Sequence, residues 1–307
     1  MPNKDNDMGT TALSLHGIFP PIPTPFTDDG EVAYEELAAN LARWNQYALT
    51  GYIVLGSNGE GVYLNAAEKV RVLEAARAAI PNGKLLVAGT GCESTRETIA
   101  LTRQAAQVGA DVALVLTPHY YDGKMTPDAL VHHFHAVAEG SPIPVLLYNM
   151  PRNTHVDMDA ATILRASHHP NIVGIKDSGG NVTKVGDTVR QVEPGFQVLA
   201  GSASFLFPFL TMGAVGGVLA LANIAPDKCL EIYTLYKTGK WEEAAALQRK
   251  MIPVNTAVTA RFGVAGLKAT LDMLGYYGGP PRSPLLALND TERQALREIL
   301  VAGGVLQ

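Results

Sequence analysis

The sequence has few cysteines, no long apolar run and no excess of basic charge. Two cysteines among 307 residues do not make a disulfide framework, and they suit a reducing compartment. No apolar stretch reaches the roughly 18 residues that a membrane-spanning helix needs. The net charge is −5, which argues against nucleic acid as the main ligand. Asp5 and Asp7 stand where a transit peptide would be rich in arginine, so we interpret residues 1–13 as a disordered arm and expect a cytoplasmic protein.

Short apolar segments alternate with helical patterns over most of the chain. The predicted strands are Gly17–Phe26, Gly51–Gly56, Lys84–Gly89, Asp111–Thr117, Pro144–Asn149, Ile172–Lys176, Gln197–Gly201 and Gly217–Ala222. Because these runs are mostly non-alternating, they are typical of strands buried on both faces of a parallel sheet. Eight strand–helix units predict an α/β fold, a (β/α)8 TIM barrel over residues 14–236. A doubly wound sheet is the alternative, but its G-x-G-x-x-G fingerprint is missing after the first strand.

The strand signal stops after about residue 236. Trp241–Met251, Val264–Gly275 and Asp290–Val301 have helical patterns, and a Gly-Gly-Pro-Pro turn at 278–281 separates the last two. We therefore predict a C-terminal helical region over residues 237–307, packed on the barrel or on a neighbouring subunit.

Lys176 is the most informative of the residues at the predicted strand ends, where barrel enzymes place their chemistry. It ends the sixth strand, so its stem should enter the barrel mouth among apolar neighbours. Burial favours the neutral amine, which is the nucleophilic form of lysine. The alternative is a structural lysine bonded to Asp177 or to carbonyl groups at the strand end, and spacing alone leaves both open.

Other polar residues follow the neighbouring strands. Tyr148 ends the fifth strand, where a phenol can pass protons to and from a carbinolamine or simply fill space. The Ser57–Gly59 loop can offer backbone N–H groups to a carboxylate, or be a plain tight turn. Ser178 follows the sixth strand. Gly201 and Ser202 follow the seventh, where a phosphate could bind, although Ser202 as a helix N-cap explains the pattern equally well.

Three histidines, His132, His133 and His135, lie in one predicted helix on the outside of the barrel. Metal ligation would require them at strand ends with a carboxylate partner. We therefore predict no metal site.

Four motifs together resemble the dihydrodipicolinate synthase / N-acetylneuraminate lyase family of class I aldolases, over about His16 to Leu288. They are G-S-N-G-E at 56–60, T-P-x-Y-Y at 117–121, L-Y-N-x-P at 147–151 and G-I-K-D-S-G at 174–179. The resemblance implies that Lys176 forms a Schiff base with a 2-oxo acid and that Tyr148 is the proton shuttle. Ser57 or Asn58 would join a hydroxyl relay to Tyr120, contributed by the neighbouring subunit of a tight dimer.

The substrate is harder to infer, and one departure from the family pattern bears on it. Dihydrodipicolinate synthases usually carry arginine two residues after the proline of Y-N-x-P, where it grips the second substrate's carboxylate. Here Asn153 takes that place, with Arg152 one residue early. Asparagine cannot make the bidentate charged contact of arginine. We place Asn153 among the substrate-binding residues, with Ser57, Asn58, Gly59, Ser178, Gly201 and Ser202.

Three runs, NIVGIKDSGG at 171–180, QVLAGS at 197–202 and GYYGG at 275–279, look most like 4-hydroxy-2-oxoglutarate aldolases. Those enzymes cleave a hydroxylated oxo acid to pyruvate and glyoxylate and require no metal or organic cofactor. The resemblance also implies a homotetramer, a dimer of dimers. The alternatives are dihydrodipicolinate synthase itself, a 2-keto-3-deoxy sugar acid aldolase, and a non-catalytic barrel that binds sugar acids.

Overall fold

Eight parallel strands form the centre of the protein, whose computed structural model describes residues 13–307. The strands are β1 (Gly17–Phe19), β2 (Gly51–Val54), β3 (Leu85–Gly89), β4 (Val112–Leu116), β5 (Val145–Asn149), β6 (Ile172–Asp177), β7 (Gln197–Ala200) and β8 (Gly216–Val218). Their order in the sheet is β1-β8-β7-β6-β5-β4-β3-β2. Two hydrogen bonds, from Thr50 N–H to the Ile18 carbonyl and from Ile53 N–H to the Pro20 carbonyl, each 3.0 Å, join β2 back to β1. The predicted (β/α)8 barrel is confirmed.

A helix follows each strand, and three more helices end the chain. They are α1 (Tyr34–Trp44), α2 (Ala66–Ala79), α3 (Thr95–Val108), α4 (Pro127–Gly140), α5 (Pro151–Thr154), α6 (Ala160–Ser167), α7 (Val182–Gln191), α8 (Leu206–Thr211), α9 (Pro226–Lys237), α10 (Trp241–Thr256), α11 (Gly263–Met273) and α12 (Asp290–Gly303). Between residues 13 and 307, no helix combines the length and the apolar character needed to cross a membrane.

The first and last strands are shorter than predicted. β1 ends at Phe19 rather than Phe26, because the prolines at 20, 21, 23 and 25 have no N–H with which to continue the ladder. β8 ends at Val218, and the chain then forms a 3₁₀ turn at Ala220–Asn223. The chain leaving β1 still contacts β2 through a bridge between Pro21 and Ile53.

Two apolar clusters make the core, and alternate residues of one strand belong to different clusters. In β4, Val112 and Leu114 belong to the smaller cluster, while Ala113 and Val115 belong to the larger one. Since successive side chains of a strand point to opposite faces, the smaller cluster fills the barrel and the larger one lies between strands and helices. Tyr148 belongs to the inner cluster, which places its ring inside the barrel.

Residues 13–15 pack against the barrel interior. Leu15 is fully buried in the inner cluster, and its N–H donates to Gln197 Oε1 at 2.7 Å. Gln197 Nε2 donates to the Leu13 carbonyl at 3.1 Å, so Leu13, assigned to the arm from sequence, already contacts the barrel. Residues 1–12 of the predicted arm lie outside the described part of the chain.

The C-terminal region forms the three predicted helices, of which α10 is longer than expected. It continues past Met251, through Pro253, to Thr256 and then into a π-helical turn at Ala257–Arg261. The extension is held by burial of Val254 and Asn255 and by the Asn255 side chain, which donates to Ser202 Oγ at 2.9 Å. Tertiary contacts with the barrel thus outweigh the missing N–H of Pro253.

Candidate active site at the carboxyl end of the barrel

Lys176 and Tyr148 lie side by side on neighbouring strands. They are direct register partners in the β5–β6 pair, so their side chains leave the same face of the sheet. Both are buried, with exposed fractions of 3% and 4%. Lys176 Nζ lies 3.8 Å from the centre of the Tyr148 ring. The pair therefore places an amine and a phenol together inside the carboxyl end of the barrel.

Lys176 has no carboxylate partner among the described residues. Asp177, the partner that a structural lysine would have used, is occupied elsewhere. Its Oδ2 lies 2.8 Å from Lys184 Nζ and accepts from Asn149 Nδ2 at 3.0 Å, while its Oδ1 accepts from Gly179 N–H at 2.8 Å. The structure thus rules out pairing with Asp177, which leaves the Lys176 amine available for chemistry.

The Tyr148 hydroxyl contacts Ser57 from the loop after β2. The two hydroxyl oxygens are 3.2 Å apart. Burial raises the pKa of the Tyr148 phenol, but the nearby positive charge of Lys176 and the hydrogen bond with Ser57 outweigh it, and the net pKa lies below the ordinary tyrosine value. A tyrosine in this setting exchanges its proton more readily than one in water, as a proton shuttle requires.

The Ser57–Gly59 segment is a single 3₁₀ turn. The N–H groups of Gly59 and Glu60 bond inside the turn, to the carbonyls of Gly56 and Ser57, whereas those of Ser57 and Asn58 have no acceptor in the described structure. They are free for an anion.

Leu55, just before this turn, has a left-handed backbone with φ of 63°. A Cβ added to Gly61 or to Gly89 would lie 2.5 Å from the Leu55 carbonyl oxygen, so these two glycines make room for the strained peptide.

Two buried polar atoms near this turn and β6 have no hydrogen-bond partner within residues 13–307: Asn58 Nδ2 and Ser178 Oγ. Gly201, whose N–H donates to the Asp177 carbonyl at 2.8 Å, adjoins Ser178. A Cβ at Gly201 would lie 2.0 Å from Ser178 Oγ, so glycine is needed there to leave space for the serine hydroxyl. Because a buried polar atom without a partner is costly, these two groups are candidate ligand contacts.

Ser202 and Asn153 are less directly tied to the lysine. Ser202 is the N-cap of a 3₁₀ turn at Ala203–Phe205, as its alternative interpretation predicts, and its Oγ accepts from Ser204 N–H at 3.3 Å. Asn153 is exposed in the short helix α5. The structure does not bring either side chain into contact with Lys176 or Tyr148.

Tyr120 lies at the surface of its own subunit, with 76% of its area exposed. Its ring meets that of Tyr121 edge to face, with centroids 5.0 Å apart, and Tyr121 is 70% exposed. The Tyr120 hydroxyl makes no hydrogen bond with another side chain of the described chain, and Tyr148 is bonded to Ser57 alone. Within one subunit, therefore, Tyr120 does not join Ser57 and Tyr148.

A buried ion pair beneath the Ser57–Gly59 turn escaped the sequence reasoning. Glu60 Oε1 lies 2.6 Å from Lys268 Nζ, and Arg282 N–H donates to Glu60 Oε2 at 2.8 Å. Glu60 and Lys268 are both buried almost completely, so the C-terminal region holds the turn through a desolvated charge pair. The available signal was Glu60, the one charged residue of the G-S-N-G-E motif.

The histidines of α4 have structural surroundings. His133 is buried, and its Nδ1 lies 2.9 Å from Thr95 Oγ1. Burial lowers the pKa of this imidazole to about 4, so it is neutral at physiological pH. In the described part of the chain, no group of three or more His, Cys, Asp or Glu side chains is placed to hold a metal ion.

Comparison with known proteins bears on the family and the fold. The family model of the dihydrodipicolinate synthetase family matches residues 14–302. A probable mitochondrial 4-hydroxy-2-oxoglutarate aldolase from Emericella nidulans is 36% identical over 287 residues, covering 92% of this chain and 93% of the relative. The 4-hydroxy-tetrahydrodipicolinate synthase of Methanothrix thermoacetophila is 35% identical over 289 residues, covering 93% and 96%.

A solved structure, the chloride-inhibited dihydrodipicolinate synthase from Acinetobacter baumannii complexed with pyruvate, superimposes with a TM-score of 0.90 at 30% identity. The match covers 95% of this chain and 100% of that one. Since the family match extends over nearly the whole chain and both relatives exceed 30% identity, the protein belongs to the dihydrodipicolinate synthase family and is a class I aldolase or lyase.

Proposed function

We propose that the protein cleaves 4-hydroxy-2-oxoglutarate to pyruvate and glyoxylate through a Schiff base on Lys176. The observation that carries the proposal is the buried Lys176 amine, which has no carboxylate partner in the described chain and lies 3.8 Å from the Tyr148 ring centre. A lysine in this setting suits attack on a ketone better than a structural role. The pyruvate complex of the Acinetobacter relative supports a 2-oxo acid as the ligand.

The reaction begins when the neutral Lys176 amine adds to the C2 ketone and gives a carbinolamine. Tyr148 protonates the departing hydroxyl, water leaves, and an iminium forms. A base then takes the C4 hydroxyl proton, the C3–C4 bond breaks, and its electron pair moves into the iminium, which releases glyoxylate and leaves the enamine of pyruvate. Protonation at C3 and hydrolysis by water release pyruvate and restore the Lys176 amine.

Donors around the lysine can hold the carboxylates of this substrate. The free N–H groups of Ser57 and Asn58 suit the carboxylate next to C2, because adjacent backbone N–H groups of a turn bind anions. The unpartnered Asn58 amide and Ser178 hydroxyl can donate to the rest of the molecule. Gly201 serves the same site indirectly, by leaving room for Ser178.

The second candidate function is condensation of pyruvate with aspartate semialdehyde, since one relative is a 4-hydroxy-tetrahydrodipicolinate synthase. We favour the aldolase because Asn153 stands where the synthases usually carry arginine. An aldolase and a synthase among the relatives are each 36% identical to this chain, so the choice rests on Asn153. We expect kcat/KM for cleavage of 4-hydroxy-2-oxoglutarate to exceed that for the condensation at least tenfold, about 1.4 kcal/mol in transition-state energy.

Steady-state assays of both reactions on one preparation measure this ratio. Arg152→Ala provides the control, because Arg152 is the only arginine of α5. The variant should keep cleavage within about twofold of the parent, since the proposal gives Arg152 no contact with substrate. A ranking that favours condensation, together with its loss in Arg152→Ala, would make the protein a synthase that uses Arg152 instead.

We also propose that Tyr120 completes the relay of a partner subunit in a tight dimer, within a homotetramer. Support comes from its 76% exposure and from the exposed ring of Tyr121 beside it. Two-fold symmetry makes the exchange reciprocal, so each subunit lends one Tyr120 and receives one. Tyr120→Phe keeps the ring and removes the hydroxyl, and it should lower kcat by roughly 10²-fold.

Refolding Tyr120→Phe together with Lys176→Ala tests the exchange. In a mixed dimer, the site with intact Lys176 borrows its tyrosine from the Lys176→Ala chain, so one of two sites is whole. Random mixing makes about half of the dimers mixed, which restores roughly a quarter of the parental activity. Activity no higher than the mean of the two variants would place Tyr120 in its own subunit's chemistry.

A further inference from the structure

Glu93 holds the backbone of the segment that carries Tyr120. Its Oε2 accepts hydrogen bonds from the N–H groups of His119 at 2.9 Å and Tyr120 at 2.8 Å. Its Oε1 lies 2.8 Å from His119 Nδ1. Glu93 belongs to the loop after β3, whereas the two residues it holds belong to the loop after β4. One carboxylate therefore joins the two loops through two hydrogen bonds and a close approach to the His119 ring.

These contacts are the main restraint on the direction of the Tyr120 side chain. Tyr120 is 76% exposed and its aromatic neighbour Tyr121 is 70% exposed, so side-chain packing restrains the ring little. Hydrogen bonds from backbone N–H to an ionised carboxylate are stronger than those between neutral groups. Fixing the Tyr120 N–H and its preceding residue fixes where the Cα–Cβ bond points, and so limits the hydroxyl to the positions that the χ1 rotamers reach from that bond.

Glu93 and His119 do not belong to the hydrophobic core. Their side chains are 47% and 35% exposed, so an ion pair at this site adds little to the stability of the fold. A carboxylate that receives two adjacent N–H groups yet lies outside the core has the geometry expected of a group that sets the shape of a loop.

We propose that Glu93 is a positioning residue for the proton relay and that it acts in the partner's active site through Tyr120 of its own chain. This inference rests on the proposed role of Tyr120. Without the Glu93 carboxylate the Tyr120 backbone is less restrained, and the Tyr120 hydroxyl occupies its position in the relay less often. The Tyr120 side chain, Lys176 and Tyr148 are chemically unchanged. Proton transfer slows, whereas binding of the oxo acid by the Ser57 and Asn58 N–H groups is unaffected.

The first test compares Glu93→Ala and Glu93→Gln with Glu97→Ala. Glu97 lies in the first turn of α3, is exposed, and its side chain makes no hydrogen bond or ion pair in the described chain, so it is a matched control. We expect Glu93→Ala to lower kcat about tenfold with KM within about twofold, because only the geometry of proton transfer changes. Glu93→Gln, which keeps one acceptor oxygen, should fall between Glu93→Ala and the parent. Both variants should unfold at the parental temperature, and borohydride should still trap pyruvate on Lys176.

The second test refolds Glu93→Ala together with Lys176→Ala. If Glu93 acts through the lent Tyr120, the mixed dimer contains one whole site, and the mixture should reach roughly a quarter of parental activity. If Glu93 acts in its own subunit, the mixture should stay near the mean of the two variants, about a twentieth.

The outcomes separate this inference from the proposed function. A silent Tyr120→Phe would overturn the role of Tyr120 in the relay. An impaired Tyr120→Phe beside a Glu93→Ala that matches Glu97→Ala would leave the relay intact and overturn the role of Glu93. A mixture of Glu93→Ala with Lys176→Ala that is no more active than the mean of the two variants would also overturn it.

Discussion

Lys176 and Lys268 are both buried almost completely, at 3% and 0% exposure, and both face an aromatic ring, but only Lys268 has a counter-ion in the described chain. Lys268 Nζ has the Glu60 carboxylate at 2.6 Å, donates to the Pro280 carbonyl at 2.9 Å and lies 4.3 Å from the centre of the Phe26 ring. Lys176 has the Tyr148 ring at 3.8 Å and no carboxylate in the described chain. The Lys268 amine has a counter-ion and a hydrogen-bond acceptor, whereas the Lys176 amine has no carboxylate partner in the described chain.

The difference supports the proposal that Lys176, rather than Lys268, carries the chemistry. A buried ammonium without a counter-ion is unfavourable, so folding alone has no reason to keep one. Lys184, the third enclosed lysine, follows the structural pattern: it pairs with Asp157 at 2.6 Å and Asp177 at 2.8 Å. Burial alone would lower the pKa of Lys184, but these two carboxylates outweigh it and raise the pKa. The partners of a lysine, rather than its depth, identify its role.

The largest expected effect is on the chemistry of Lys176. Lys176→Ala should lower kcat by on the order of 10³-fold or more, because no other amine can form the Schiff base. Its free energy of unfolding should be unchanged or slightly higher, since an unpaired buried amine is removed. Activity assays and urea unfolding measure the two effects.

Pyruvate with borohydride should fix one adduct, which peptide mass spectrometry should locate at Lys176. An adduct on Lys184 or Lys268 would contradict the proposal that Lys176 is the lysine that forms the Schiff base.

The reverse pattern is expected for Lys268. Lys268→Met should lower the free energy of unfolding by about 3 kcal/mol, because Glu60 is left buried and unpaired. The folded fraction should still form the trapped pyruvate adduct, since Lys176 is untouched. Urea denaturation beside a trapping assay tests both statements, and a stable but untrappable Lys268→Met would contradict them.

Tyr148→Phe should lower kcat by roughly 10²-fold by removing the proton shuttle while keeping the ring against Lys176. The lowered pKa of Tyr148 also predicts a pH dependence. The proton of the phenol is lost below the ordinary tyrosine range as pH rises, so the alkaline fall of kcat/KM should begin below pH 10. A profile measured from pH 6 to 10.5 should show this limb in the parent and lose it in Tyr148→Phe.

The smallest effect should come from removing both charges of the Glu60–Lys268 pair. Glu60→Gln combined with Lys268→Met leaves no buried charge without a partner, so it should recover most of the stability lost in Lys268→Met, ending within about 1 kcal/mol of the parent. A double-mutant cycle by urea unfolding measures the coupling. Additive losses would show that Lys268 acts through packing on Phe26 rather than through charge.

The sequence predicts the barrel and the position of Lys176 because both depend on local patterns. Unbroken apolar runs mark parallel strands, and a lysine at the end of such a run enters the mouth whichever strand lies beside it. The exit of β1 is less predictable: the run continues to Phe26, and only the missing N–H groups of the prolines show that the strand ends at Phe19.

Local sequence patterns do not predict which charged residues pair with each other. Glu60 meets Lys268 and Arg282 from the other end of the chain, and nothing in the residues around Glu60 specifies that pairing. The same holds for Asp177: the sequence leaves open whether it pairs with Lys176, and only the approach of Lys184 decides it. The hydrogen bonds from the His119 and Tyr120 N–H groups to Glu93 likewise depend on the distance between two neighbouring loops.

The ion pair beneath the Ser57–Gly59 turn also has a consequence for the order in which the protein matures. The turn is synthesised after two of the eight strands, whereas Lys268 and Arg282 leave the ribosome only after all eight. Until then Glu60 has neither cation, and the catalytic mouth of the nascent barrel stays unfinished while most of its strands already exist. A chain released before residue 282 would contain every residue of the proposed Schiff-base chemistry and still lack the Arg282 contact that helps to hold Glu60 beneath the Ser57 loop.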